Sequence, residues 1–91
     1  MAIEPQYHVV LDKRLEKEVA KLDRPIRRRI QAALLSLATN PRPSAATALV
    51  GQPGLLRLRV GDYRVIYTVK DHELLVLVID VDHRSRICRD L

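Results

Sequence analysis

The stretch Leu55-Leu56-Arg57-Leu58-Arg59-Val60-Gly61-Asp62-Tyr63-Arg64-Val65-Ile66-Tyr67-Thr68-Val69 decides the fold. Leu56, Leu58 and Val60 alternate with Arg57 and Arg59, the period of two that gives a strand one face in a core and one polar face. Gly61-Asp62 marks a tight connection into the β-branched and aromatic run from Tyr63 to Val69, which reads as a second strand. Lys70-Asp71-His72-Glu73 turns the chain again before Leu74 to Val81. Three strands in succession make an antiparallel meander. The third is apolar on both faces from Leu74 to Ile79, which places it in the interior of a sheet with helices over one side.

Upstream, the pattern changes. From Lys13 to Leu22, residues Leu15, Val19 and Leu22 repeat at helical spacing while Lys13, Arg14, Lys17, Glu18 and Lys21 point elsewhere. Asp12 is a good N-cap for that helix, and the short apolar run Tyr7 to Leu11 before it reads as a strand. Asp23-Arg24-Pro25 resets the chain, since Asp caps and Pro is tolerated only in a first turn. Ile26, Ile30, Ala33, Leu34 and Leu37 then form the buried face of a second helix, which Asn40-Pro41-Arg42-Pro43 ends. From there to Gly54 neither period holds, so the segment reads as a loop, with a short turn over Ala46 to Val50. The expected fold is α+β, in the order β-α-α-β-β-β: two N-terminal helices packed on a small, mainly antiparallel twisted sheet. At 91 residues, one domain spanning 1–91 is all the chain can hold.

Composition narrows the function. There is no Phe or Trp, and the aromatics are Tyr7, Tyr63 and Tyr67, which argues against base-stacking platforms of the RRM or OB kind. Sixteen Lys and Arg against eleven Asp and Glu leave a net charge of +5, which favours a polyanionic partner: nucleic acid, ribosome or an acidic protein. Cys88 is the one cysteine, so no internal disulfide can form, and a reducing compartment, the cytoplasm, is expected. The run Leu74 to Ile79 is too short to cross a bilayer, and no basic start followed by an apolar stretch signals export or a membrane partner. His8, His72 and His83 fall on separate elements without ligand spacing, so neither a metal site nor any other cofactor is expected. Gly-rich phosphate loops and Ser-His-Asp orderings are missing as well.

The chemistry points to the C-terminal half. Arg57 and Arg59 share a strand face and Arg64 enters the next strand just after the turn. Their guanidiniums can thus lie within about 10 Å, a little over two interstrand spacings. Alternating arginines are often only a solvated face. Here, however, no acidic residue separates Leu55 from Gly61, and clustered guanidiniums suit phosphate by charge and geometry. His83, in the closing Asp82-His83-Arg84-Ser85-Arg86, is the residue of this region whose ordinary pKa suits proton transfer near neutrality. The run Arg27-Arg28-Arg29 spreads over most of a helical turn and reads as a solvated face.

Over essentially the whole chain, these residues resemble the RelE/ParE toxin superfamily. The basic strand, Gly61-Asp62, Tyr63-Arg64-Val65-Ile66-Tyr67, the apolar strand and His83-Arg84 follow one another in the family's order. The resemblance implies two helices on a small twisted sheet and the toxin half of a type II toxin–antitoxin pair. RelE-type members are ribosome-dependent mRNA endonucleases that pass the phosphoryl group to the substrate's own 2′-hydroxyl without metal. It implies that Arg57, Arg59, Arg64 and Arg84 bind phosphate and stabilise the transition state, and His83 is expected to move the proton. The partners it implies are a RelB-like cognate antitoxin, the ribosome and mRNA. The sequence departs from the active pattern at Arg59, where Lys is common, and at Cys88, where a Tyr is. Two alternatives therefore stay open: a ParE-like toxin acting on DNA gyrase, which needs no phosphate site, and a weakened toxin that only binds its antitoxin.

Overall fold

The structure is a computed structural model that describes residues 6–83. Two helices cover one face of a five-stranded sheet in the order β1-β5-β4-β3-β2. Strand β1 (His8–Val10) leads into helix α1 (Lys13–Ala20) and then α2 (Arg24–Thr39). Strands β2 (Thr47–Ala48), β3 (Leu56–Val60), β4 (Tyr63–Lys70) and β5 (Leu75–His83) complete the order. The expected meander is present: β3, β4 and β5 pair antiparallel, and β1 joins β5 in parallel. Strand β5 lies between β1 and β4, as its two apolar faces require.

Local chemistry explains the helices. The Asp12 carboxylate accepts the Leu15 amide at 2.8 Å, satisfying one of the first-turn donors that a helix leaves open. The helix stops at Ala20, two residues short of the sequence expectation, because the Leu22 amide closes a tighter bond to the Val19 carbonyl at 3.1 Å. Asp23 occupies the cap position of α2, but its side chain makes no capping bond, contrary to expectation; Pro25 in the first turn sets the start instead. Leu15, Val19, Ile30, Leu34 and Leu37 enter the core against Leu58, Val60, Val65, Tyr67, Val76, Val78 and Val81. Ile26 and Ala33, expected in the core, lie at its margin.

Two features escaped the sequence reading. The segment read as a loop with a turn contributes β2, whose Thr47 and Ala48 pair with Arg57 and Leu56. Two residues are too few to display a period. The second is a β-bulge in β5. Ile66 faces Asp80, but the next residue of β4, Tyr67, faces Val78, so Ile79 is the extra residue and stands 41% exposed. Before the bulge the even-numbered Val76 and Val78 are buried; after it the odd-numbered Val81 is. The bulge inverts which residues of β5 face the helices.

The loop between α2 and β2 is tied down at its start. Tyr67 is buried and its hydroxyl donates to the Pro41 carbonyl at 2.8 Å. Arg42 donates to both carboxylate oxygens of Asp71 at 2.9 and 2.8 Å, and Tyr7 donates to the same carboxylate at 2.8 Å. The Arg42 guanidinium, followed by the Tyr7 hydroxyl, holds the Asp71 carboxyl down at about 2.

Candidate functional site

The sheet face away from the helices carries the arginines. Side chains directly opposite on neighbouring strands share a face. Arg59 on β3 is opposite Arg64 on β4, and Arg57, two residues earlier, lies on the same side. Strand β2 brings Thr47 opposite Arg57. The outcome is a concavity of about 210 Å³ lined by Arg57, Arg59, Arg64, Ala45 and Thr47.

One pairing in this arrangement opposes stability. Like charges directly opposite on a sheet repel, and Arg59 and Arg64 are such a pair. Among the described residues the ion pairs are Arg14–Glu18 and Arg42–Asp71, and neither involves the three arginines of the concavity. Arg59 Nε donates to the Gly61 carbonyl at 3.3 Å, which holds the side chain near the hairpin turn without neutralising it. Gly61 itself has φ of 59°, the left-handed conformation that glycine adopts without penalty at the first position of a two-residue hairpin. The turn therefore sets the register that makes Arg59 and Arg64 neighbours. Three guanidiniums lining one concavity are poised for a phosphate with several anionic oxygens.

His83 is not brought to this cluster. Its register partner is Tyr63, and the two rings meet edge to face with centroids 5.2 Å apart. Tyr63 follows Val60 and precedes Val65 on the helix-covered side, so His83 points to that side at the end of the sheet. The cause is the bulge at Ile79. Had the alternation of Val76 and Val78 run on unbroken, His83 would have faced the arginines; with one residue inserted, Asp80 and Asp82 do. Asp82 is the register partner of Arg64, and its Oδ1 accepts the His83 amide at 2.8 Å. Burial, and then the neighbouring Asp82, raise the Asp80 carboxyl above its ordinary range. Arg84 and Cys88 lie outside the described residues. Of the expected site, then, Arg57, Arg59 and Arg64 come together and His83 stands apart.

The sequence reading missed Ala45 and Thr47, which wall the concavity. Neither carries a charge or a period, and they reach the arginines only through β2, so no sequence signal could have found them. The basic run of α2 takes no part: Arg27 donates to the Ala20 carbonyl at 3.3 Å, and Arg29 lies against the turn, its Nη1 3.1 Å from where a Cβ on Gly61 would stand.

The fold of two helices on a five-stranded sheet is shared with known toxins. The family model described as ParE toxin of type II toxin-antitoxin system, parDE, matches residues 9–88. The mRNA interferase toxin RelE of Escherichia coli is 34% identical over 82 residues, covering 88% of this chain and 85% of its own. Among solved structures, the archaeal RelE–RelB complex of Pyrococcus horikoshii superimposes with a TM-score of 0.78 at 29% identity, covering 89% of this chain and 98% of that one. The isolated E. coli RelE toxin superimposes with a TM-score of 0.73 at 28% identity, covering 93% and 99%. The chain belongs to the RelE/ParE family of type II toxins.

Proposed function

We propose that this toxin is an mRNA interferase of the RelE kind, cutting mRNA on the ribosome and neutralised by a cognate antitoxin. One observation carries the reading: Arg57, Arg59 and Arg64 converge on one concavity, with Arg59 directly opposite Arg64. A toxin that blocked its target by contact alone would need no such site. The sequence likeness to the E. coli mRNA interferase supports the same branch.

The reaction needs three things. The 2′-oxygen must attack phosphorus, the 5′-oxygen must leave, and the phosphorane between them must bear extra negative charge. The new P–O2′ bond replaces the P–O5′ bond, leaving a cyclic phosphate and a 5′-hydroxyl, while the 2′-hydroxyl's proton is given up and one is taken by the leaving oxygen. Arg57, Arg59 and Arg64 supply the charge: guanidinium donors aimed at the non-bridging oxygens stabilise the phosphorane more than the phosphodiester. None of the concavity's lining residues is a histidine or a carboxylate, the commonest general acids and bases. Such a site stabilises charge and aligns the substrate but moves protons poorly, so it gains most from RNA already held in an attacking geometry. That is the physical case for action on ribosome-bound mRNA, and so for action in the cytoplasm.

The solved RelE–RelB and RelBE complexes support an antitoxin partner for this chain too. The ParE description of the matching family model favours one other reading, a toxin directed at DNA gyrase. Primer extension on mRNA in a purified translation system separates them. Cuts inside ribosome-bound codons are expected with the wild type and not with Arg64→Ala. Uncut mRNA, together with inhibited gyrase supercoiling, would transfer the chain to the gyrase branch.

A further inference from the structure

The concavity is not purely cationic. Its remaining wall comes from one segment, the approach to β2, which contributes Ala45 and Thr47. Thr47 is the single lining side chain that is neutral and both donates and accepts a hydrogen bond. It stands opposite Arg57 across the β2–β3 pair, and both side chains line the concavity. Ala45 is too small to fill the space next to it. A nucleotide whose phosphate is held by the three arginines has room to place a sugar against this wall.

We infer that Thr47 is a specificity-determining residue, whose hydroxyl hydrogen-bonds the ribose 2′-hydroxyl next to the bound phosphate and so distinguishes RNA from DNA. The inference rests on the ribonuclease reading above and deepens it. The arginines' phosphate contacts cannot make this distinction, because the phosphodiester is the same in both polymers. The 2′-hydroxyl is the group by which a protein tells them apart, and it needs a partner able to donate or accept. Position also favours Thr47: pairing with β3 fixes its backbone, and the ties of Tyr67 to Pro41 and of Arg42 to Asp71 restrain the segment that leads to it.

The test compares hexamers of RNA and DNA that contain only adenine and cytosine, so that they differ only in the 2′-hydroxyls. Fluorescence anisotropy at low salt reads their affinities, with the RNA checked to stay intact. The wild type should bind RNA about three- to tenfold more tightly than DNA, the worth of one neutral hydrogen bond. Thr47→Val, which keeps the shape and suits an edge strand, should lose that preference while its DNA affinity stays unchanged. Thr47→Ser should keep it. Arg59→Ala should weaken RNA and DNA alike. If Thr47→Val retains the preference, or the wild type has none while Arg59→Ala still weakens both, the Thr47 inference is overturned and the phosphate site stands. If Arg59→Ala leaves both affinities unchanged, the phosphate site fails and the Thr47 role with it. An unfolding midpoint for each variant confirms that the fold is intact.

Discussion

The two faces of the sheet obey opposite rules. On the covered face Leu58, Val60, Val65, Tyr67, Val76, Val78 and Val81 meet α1 and α2, and every one of these contacts lowers the free energy of folding. On the uncovered face Arg59 and Arg64 sit opposite one another, and their repulsion raises it. Both faces are built from the same strands, because alternation sends successive residues of β3 and β4 to opposite sides. The lesson is that stability and activity should separate cleanly by residue parity on β3 and β4.

The largest effect that could break this contrast is on cleavage. Arg59→Ala should lower the rate of ribosome-dependent mRNA cutting by about 10²–10³-fold, the usual loss when one transition-state donor is removed. Its unfolding free energy should stay level or rise slightly, by about 0.2–1 kcal/mol, as the cross-strand repulsion is relieved. Ile30→Ala on the covered side should do the reverse. It removes a fully buried side chain and should cost about 2–5 kcal/mol in denaturant unfolding, with the arginine site unaltered in whatever fraction remains folded.

How much of this was legible in the sequence follows from the same parity. Strands β3 and β4 alternate plainly, so the meander, the core face and the clustering of Arg57, Arg59 and Arg64 could all be read from Leu55 to Val69. Strand β5 could not be read this way. Its apolar run Leu74 to Ile79 shows no alternation, so an inserted residue leaves no mark on the pattern, and the bulge at Ile79 went unseen. That one residue moved His83 from the arginine face to the Tyr63 face. Strand β2 was invisible for a different reason: two residues with small side chains carry no period, although one of them, Thr47, walls the site.

Smaller effects sharpen the comparison. His83→Ala should leave cleavage within about tenfold of wild type, below the usual 10²-fold or greater loss of a general acid or base, because the ring packs on Tyr63 and not in the concavity. A loss as large as that of Arg59→Ala would return His83 to the reacting group. Tyr67→Phe should cost about 1 kcal/mol, since it strips the Pro41 carbonyl of its partner at 2.8 Å while keeping the buried ring.

The smallest effect is on pH. The Asp71 carboxyl is held at about 2 instead of the ordinary 3.8, so its folded pKa is depressed. Its contribution to stability is therefore fully present above about pH 4 and disappears as the pH falls toward 2. Asp71 is exposed and solvent screens the pair, so only a slight fall in unfolding midpoint is expected over that window. Asp71→Asn should abolish that fall.

The most direct test of the central claim measures two quantities on one preparation of the Arg59→Ala/Arg64→Ala double variant: its unfolding midpoint, and mRNA cutting by primer extension in a purified translation system. The account predicts a folded protein of about wild-type stability, since Arg64 faces both Arg59 and Asp82, that no longer cuts ribosome-bound codons. A stable double variant that cuts at the wild-type rate would contradict it, and the uncovered face would then not be the site of cleavage.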